Sequence, residues 1–234
     1  MDIHLHYTEQ GNGKPLILLH GNGENHTYFS HQIEAFSQKF RVIAVDTRGH
    51  GNSPRGTAPF TIVQFAEDLH AFMLEHKIDK AHLLGFSDGG NIALYFVLKY
   101  PQMVDKLILN GANLCTAGVK RTVQFPVEIG YRIAKLFSRS SEKALKNTEI
   151  LGLMVNEPNI ATEELHHIQN KTLVIVGTKD MIKESHSRLI YDNLPNAELA
   201  FVDGNHFIAD KNPDDFNKRV LEFLKDERQK KTQK

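Results

Sequence analysis

Apolar and polar positions alternate along the chain in two rhythms. Seven short runs, "IHLHY" (3–7), "LILLH" (16–20), "RVIAVD" (41–46), "AHLLGF" (81–86), "KLILNG" (106–111), "TLVIVG" (172–177) and "ELAFVD" (198–203), read as strands. Several of them lack polar alternation, the pattern of strands covered on both faces, so a mostly parallel sheet is expected. Stretches of helical period lie between them. Over 61–76, Ile62, Phe65, Ala66, Leu69, Phe72 and Met73 recur at the spacing of one half-buried helix face. The alternation predicts an α/β fold, a doubly wound, mostly parallel sheet of about seven strands.

One interval breaks the rhythm. Residues 114–170 hold no convincing strand, while 127–137, 141–155 and 162–168 each carry helical patterning, with Pro126 and Pro158 as punctuation. The expectation is a helical insertion within a single domain spanning 1–234. Connections of this length tend to be lids or binding elements. Phe125, Ile129, Tyr131, Ile133, Phe137, Leu153 and Met154 suggest an apolar roof, with Phe125, Ile129, Tyr131 and Met154 as candidate substrate contacts. Packing of the insertion onto the core explains the same stripe and is the preferred account. The C-terminal "KDERQKKTQK" reads as a polar, frayed end.

Charge narrows the function classes. Lys+Arg and Asp+Glu number 28 each, and the hydrophobic share is 41%, which fits an ordinary globular protein, and this overall balance does not suggest nucleic acid. No window reaches the ~18 apolar residues of a membrane span, and the N-terminus lacks a basic start followed by an apolar run. The expectation is a cytoplasmic protein, monomer or homodimer, acting on a small molecule with no nucleic-acid or membrane partner. Cys115 is the only cysteine, so neither an internal disulfide nor a cysteine metal cage can form.

The chemistry starts at "LLGFSDGGNIAL" (83–94). A strand that turns abruptly into a helix strains the residue at the corner, and Gly85 and Gly89 remove the flanking side chains that would clash. Ser87 would then stand at the N-terminus of a helix over 90–100, where backbone amides face whatever it attacks. A serine hydroxyl needs a base to take its proton and a third group to hold that base. Asp180 in "VGTKD" and His206 in "VDGNH" follow the sixth and seventh strands, so both fall at the same sheet edge as Ser87. "HGNGEN" (20–25) supplies Asn22, whose N–H is one candidate oxyanion donor, and the N–H of Asp88 is the other.

The set "LLHGNGEN", "DTRGHGNS", "GFSDGG", "VGTKD" and "GNHF", spaced from Leu18 to Phe207, resembles the successive motifs of the α/β-hydrolase superfamily. The resemblance implies Ser87 as nucleophile, His206 as general base and acid, Asp180 as its orienting acid, and the amides of Asn22 and Asp88 as oxyanion donors. It also implies that 114–170 is a cap, short for the family. No cofactor is implied.

Rival readings are weaker. Among the 13 histidines, His4, His6 and the adjacent His166 and His167 form no compact ligand set, so no metal is expected. Gly21, Gly23 and Asp46 imitate a dinucleotide motif, but His26 stands where the third glycine belongs. Asp46, Arg48 and His50 are expected to brace their loop. Asp88 either complements the helix N-terminus or, with Glu24, makes the site acidic and receptive to a substrate amino group. The expected activity is hydrolysis of a small or medium ester, thioester or related carbonyl compound through an acyl-enzyme. The alternatives are C–C bond hydrolysis, proton abstraction or perhydrolysis on the same residues, or a ligand-binding protein with little turnover.

Overall fold

A computed structural model describes residues 2–225, so most of the polar C-terminal stretch lies outside the described residues. Seven strands form one sheet in the order β1-β3-β2-β4-β5-β6-β7: β1 (Tyr7–Gln10), β2 (Pro15–Leu19), β3 (Arg41–Val45), β4 (Ala81–Phe86), β5 (Val104–Asn110), β6 (Lys171–Gly177) and β7 (Ala197–Val202). β1 runs antiparallel to β3, and every other pair is parallel. The expected sheet and strand count are therefore observed.

Alternate residues of each apolar strand feed opposite layers, which is why polar alternation is missing. In β2, Leu16 and Leu18 pack with Phe36 of α1 (Ser30–Phe36), with Ile208 of the short α7 (Ile208–Lys211) and with Phe216, Val220 and Phe223 of α8 (Pro213–Leu224). Ile17 and Leu19 face the other way. They join Phe65, Leu69 and Phe72 of α2 (Ile62–Glu75), Ile92 and Phe96 of α3 (Asp88–Lys99) and Ile190 of α6 (Glu184–Asn193). The Thr61 hydroxyl accepts from the Gln64 amide and starts α2, while Pro213 opens α8, where its missing N–H is not needed.

Three expectations need correction. The first strand was expected at 3–7, but the ladder begins at Tyr7. Ile3 and Leu5 are buried as the alternation requires, yet this stretch bonds a loop instead: the His6 amide donates to Ser53 Oγ, and the Asp46 amide donates to the His6 carbonyl. The insertion between β5 and β6 contains α4 (Arg121–Phe137), α5 (Glu142–Asn156) and a 3₁₀ helix at Thr162–His167. Pro126, expected just ahead of a helix over 127–137, lies inside α4, which starts at Arg121. Thr122, whose carbonyl loses its amide partner to Pro126, is exposed, as is Pro126 itself, so the lost bond is not buried. Finally, Phe125, Ile129, Ile133 and Phe137 do not pack onto the core but are exposed.

Candidate active site

The strand-to-helix corner forces Ser87 into φ 53°, ψ −119°, one of two non-glycine residues with positive φ among those described. Such a backbone costs on the order of 1–3 kcal/mol and survives only where its surroundings hold it. The Ser87 amide donates to the Asn110 carbonyl at 2.8 Å, and its own carbonyl accepts from the amides of Gly90 and Asn91. The flanking glycines are obligatory on steric grounds. A Cβ on Gly85 would collide with the Gly89 carbonyl, and one on Gly89 would strike the carbonyl of Leu19. Helix α3 thus starts at Asp88, two residues before the expected 90, because the Ser87 carbonyl already accepts its first bonds.

Asp180 and His206 follow parallel neighbours β6 and β7 and meet over the same edge. His206 Nδ1–H donates to Asp180 Oδ1 at 2.7 Å, and both side chains are buried. Asp180 Oδ1 also accepts from the Ile182 amide, and Oδ2 from the Gly177 amide. Burial opposes ionisation of Asp180, but the His206 hydrogen bond and charge and these two amides outweigh it, holding the carboxyl below its usual range. His206 reaches from the end of β7 back to Gly111, which follows β5, and to Phe86 at the end of β4. Its ring lies 4.8 Å from that of Phe86, the residue before Ser87, and Gly111 leaves it room: a Cβ there would sit 2.7 Å from His206 Cε1. His206 Nε2 is buried and makes no hydrogen bond among the described residues.

The loop after β2 closes the other side. His20 is buried and locked: Nδ1–H donates to the Gly21 carbonyl, Nε2 accepts from the Thr47 amide, and burial lowers its pKa to about 4. The Gly21 amide donates to Glu24 Oε2, and the Glu24 amide returns to the Gly21 carbonyl, so Glu24 closes a tight turn. Burial raises Glu24 to about 7, against that amide's pull. Asn22 reaches up through Nδ2 to the Ile150 carbonyl of α5, at 2.8 Å, and ties this loop to the insertion. Tyr28 stacks on Phe86 with ring centroids 4.3 Å apart.

Asp88 sits at the first position of α3. Its Oδ1 accepts from Asn91 Nδ2 at 3.3 Å, and Oδ2 is buried without a partner. Burial, with the charge of Glu157, pushes its pKa to about 7. Asn91 also binds Asn113, so the corner rests on an asparagine network. Neither Asn91, Asn113, Gly111 nor Glu157 was singled out from the sequence, because their roles depend on neighbours 20 or more positions away.

The loop of "DTRGHG" is braced as expected. Asp46 accepts from His6 Nδ1, His26 Nδ1, the His26 amide and the Asn52 amide. His6, His26 and Asp46 are also the one group among the described residues whose ligand atoms cluster closely enough for a metal, but those atoms are engaged with one another. Arg48, fully buried, pairs with Asp68 and Asp2. Of the candidate substrate contacts on the insertion, Tyr131 and Met154 are half-buried, and Phe125 and Ile129 are exposed.

The family model for the alpha/beta hydrolase fold matches residues 14–129. The 2-hydroxy-6-oxononadienedioate/2-hydroxy-6-oxononatrienedioate hydrolase of Burkholderia vietnamiensis is 30% identical over 274 residues, covering 96% of this chain and 92% of that protein. The chain belongs to the alpha/beta hydrolase family. Serine hydrolase BPHL of Homo sapiens is 29% identical over 246 residues, covering 95% of this hydrolase and 83% of that protein. The enol-lactonase from Burkholderia xenovorans shares the fold, with a TM-score of 0.80 over 95% of this chain and 96% of that one, at 23% identity. Among the described residues of this alpha/beta hydrolase, no helix is long and apolar enough to cross a membrane.

Proposed function

We propose that this hydrolase cleaves a small or medium ester, thioester or related carbonyl compound through an acyl-enzyme on Ser87, under a short cap formed by the insertion. The observation that carries the reading is the strained Ser87 at the head of β4, with the buried Asp180–His206 pair crossing the same sheet edge. Ser87 Oγ adds to the carbonyl carbon while His206 Nε2 takes its proton; collapse of the tetrahedral intermediate expels the alcohol, which leaves with that proton. Water, activated by the same His206, then adds to the acyl-enzyme and releases the acid and free Ser87. Asp180 holds the imidazole in the tautomer with Nδ1 protonated and stabilises the imidazolium. The N–H groups of Asn22 and Asp88 receive the oxyanion, where one lost donor is worth about 3–4 kcal/mol.

Charge argues for the acyl substrate over the dicarboxylate named for the Burkholderia vietnamiensis relative. Asp88, Glu24 and Glu157 are carboxyls that burial keeps reluctant to ionise. A dianion gains nothing from such surroundings, whereas an ester bearing an amino group would draw the unpartnered Asp88 Oδ2 into an ion pair. Of the four cap candidates, the half-buried Tyr131 and Met154 are assigned to the cap side of the acyl site, and the exposed Phe125 and Ile129 are not.

The test is hydrolysis of p-nitrophenyl esters from acetate to octanoate by wild type and Ser87→Ala, with fluorophosphonate labelling read by mass. Turnover and a Ser87 adduct, both lost in the variant, support the reading. A wild type that neither turns over nor labels overturns it and leaves a ligand-binding role.

A further inference from the structure

Helix α4 carries two apolar faces, and only one is used. Gln124 and Ala134 are buried on the inner side, Gln124 Nε2 donates to the Met154 carbonyl of α5, and Tyr131 and Gly130 approach Gly152 and Leu151 of α5. On the other side, Phe125, Ile129, Ile133, Leu136 and Phe137 recur at intervals of one to four residues and stay exposed, Leu136 by 79%. Leu145, at the start of α5, is exposed beside them in sequence across the short turn. Six of the eleven large exposed apolar side chains among the described residues therefore fall within 21 positions of one another. Scattered exposure needs no explanation, but a concentrated stripe marks a binding surface.

The charge around the stripe is just as uneven. Between Arg121 and Lys146 lie six basic residues, Arg121, Arg132, Lys135, Arg139, Lys143 and Lys146, against Glu128 and Glu142, in a chain whose formal charge is zero. All six are exposed. With 100° per residue, Arg121, Arg132 and Lys135 border the stripe along one flank of α4; Glu128 shares that flank and pairs with Arg121 at 2.6 Å, so Arg132 and Lys135 carry its net positive charge. Arg139 and Lys143 sit at the turn that joins the two helices, where Leu136 and Phe137 also end. From Phe125 to Phe137 the stripe runs about 18 Å. An apolar helix face with a basic border fits the plane of an anionic membrane, where the ring and aliphatic side chains enter the headgroup boundary and the cations meet lipid phosphates.

We propose that the outer face of α4, with the α4–α5 turn, docks this hydrolase on an anionic lipid surface. This departs from the expectation of no membrane partner, which rested on the absence of a spanning segment; a surface-bound helix needs none. A second copy of the chain is the other occupant an apolar face could have. A two-fold interface would set the same basic cluster against itself, and like charges at that spacing oppose it.

The experiment is co-sedimentation of the full chain with vesicles of phosphatidylcholine alone and of phosphatidylcholine with phosphatidylserine at about 3:1, at low and high salt. The expected result is at least about tenfold stronger partitioning onto the anionic vesicles, reduced by salt. Leu136→Ser with Leu145→Ser, and separately Arg132→Gln with Arg139→Gln, are each expected to lower it about tenfold or more. Both variants should keep the wild-type circular dichroism and turnover of a soluble short-chain ester. No anionic preference, or variants that bind as well as wild type, overturns the proposal. So does a stable dimer in sedimentation velocity that Leu136→Ser with Leu145→Ser dissolves, because the face then belongs to a second copy.

Discussion

His206 Nδ1 lies 2.7 Å from Asp180 Oδ1, and the acid is itself held by the amides of Ile182 and Gly177. The pair is therefore oriented by backbone, not by side-chain chance. Asp180→Asn keeps the shape but removes the acceptor charge that fixes the imidazole tautomer. The expected loss in kcat is on the order of 10⁴-fold, with a melting temperature shifted by only a few degrees. Ester turnover and a thermal melt on the same preparation check it; retention of kcat within tenfold would remove Asp180 from the mechanism.

Gly111 separates β5 from the imidazole, at φ +62°. Gly111→Ala introduces both a strained backbone and a Cβ 2.7 Å from His206 Cε1, so the imidazole must move. The expected outcome is a fall in kcat of about a hundredfold or more, since misplacement by about 1 Å is enough, with KM for a short ester little changed. A fall in KM-dependent terms alone would place Gly111 in binding.

Asp88 is a pH-dependent liability. Its folded pKa of about 7 lies above the ordinary 3.8, so the folded state keeps a proton that the unfolded chain releases. Stability from this group is full below about pH 4, falls between about pH 4 and 7, and is flat above. Asp88→Asn removes that decline, so the variant gains on wild type between pH 4 and pH 8 by a ceiling of about 4 kcal/mol. Urea unfolding at the two pH values measures it. In parallel, the kcat/KM ratio of a cationic ester to its neutral isostere is expected to fall about tenfold in Asp88→Asn; an unchanged ratio would count against amine recognition.

Arg48 is fully buried between Asp68 and Asp2. Arg48→Met leaves the buried Asp68 uncompensated and is expected to cost about 3–5 kcal/mol of unfolding free energy. The double variant Arg48→Met with Asp68→Leu should recover most of it, because the orphaned charge is gone. Arg48→Lys falls short of wild type, since one ammonium cannot bond two carboxylates in the forked geometry. A denaturation series over the four proteins decides.

Much of the fold was legible because local rules set it. Continuous apolar runs such as "LLGF" and "LVIV" require two covered faces, and the glycines around Ser87 allow a corner that other residues forbid. Where backbone bonds went elsewhere, the sequence misled. Ile3 and Leu5 keep the strand alternation, yet the adjacent His6 bonds to Ser53 and Asp46 and the ladder starts at Tyr7. Pro126 looked like the boundary before a helix at 127, and the exposure of the carbonyl it orphans let α4 begin earlier and run through it.

By itself the sequence determined the sheet, the corner at Ser87, and the order in which Ser87, Asp180 and His206 reach one edge, because period and steric demand act over a few residues. Only the tertiary structure decided that His206 reaches back to Gly111 and Phe86, that Asp88 Oδ2 has no partner, and that the stripe of α4 faces outward. Periodicity tells that a helix has an apolar face; what covers that face, or leaves it bare, depends on where the rest of the chain goes.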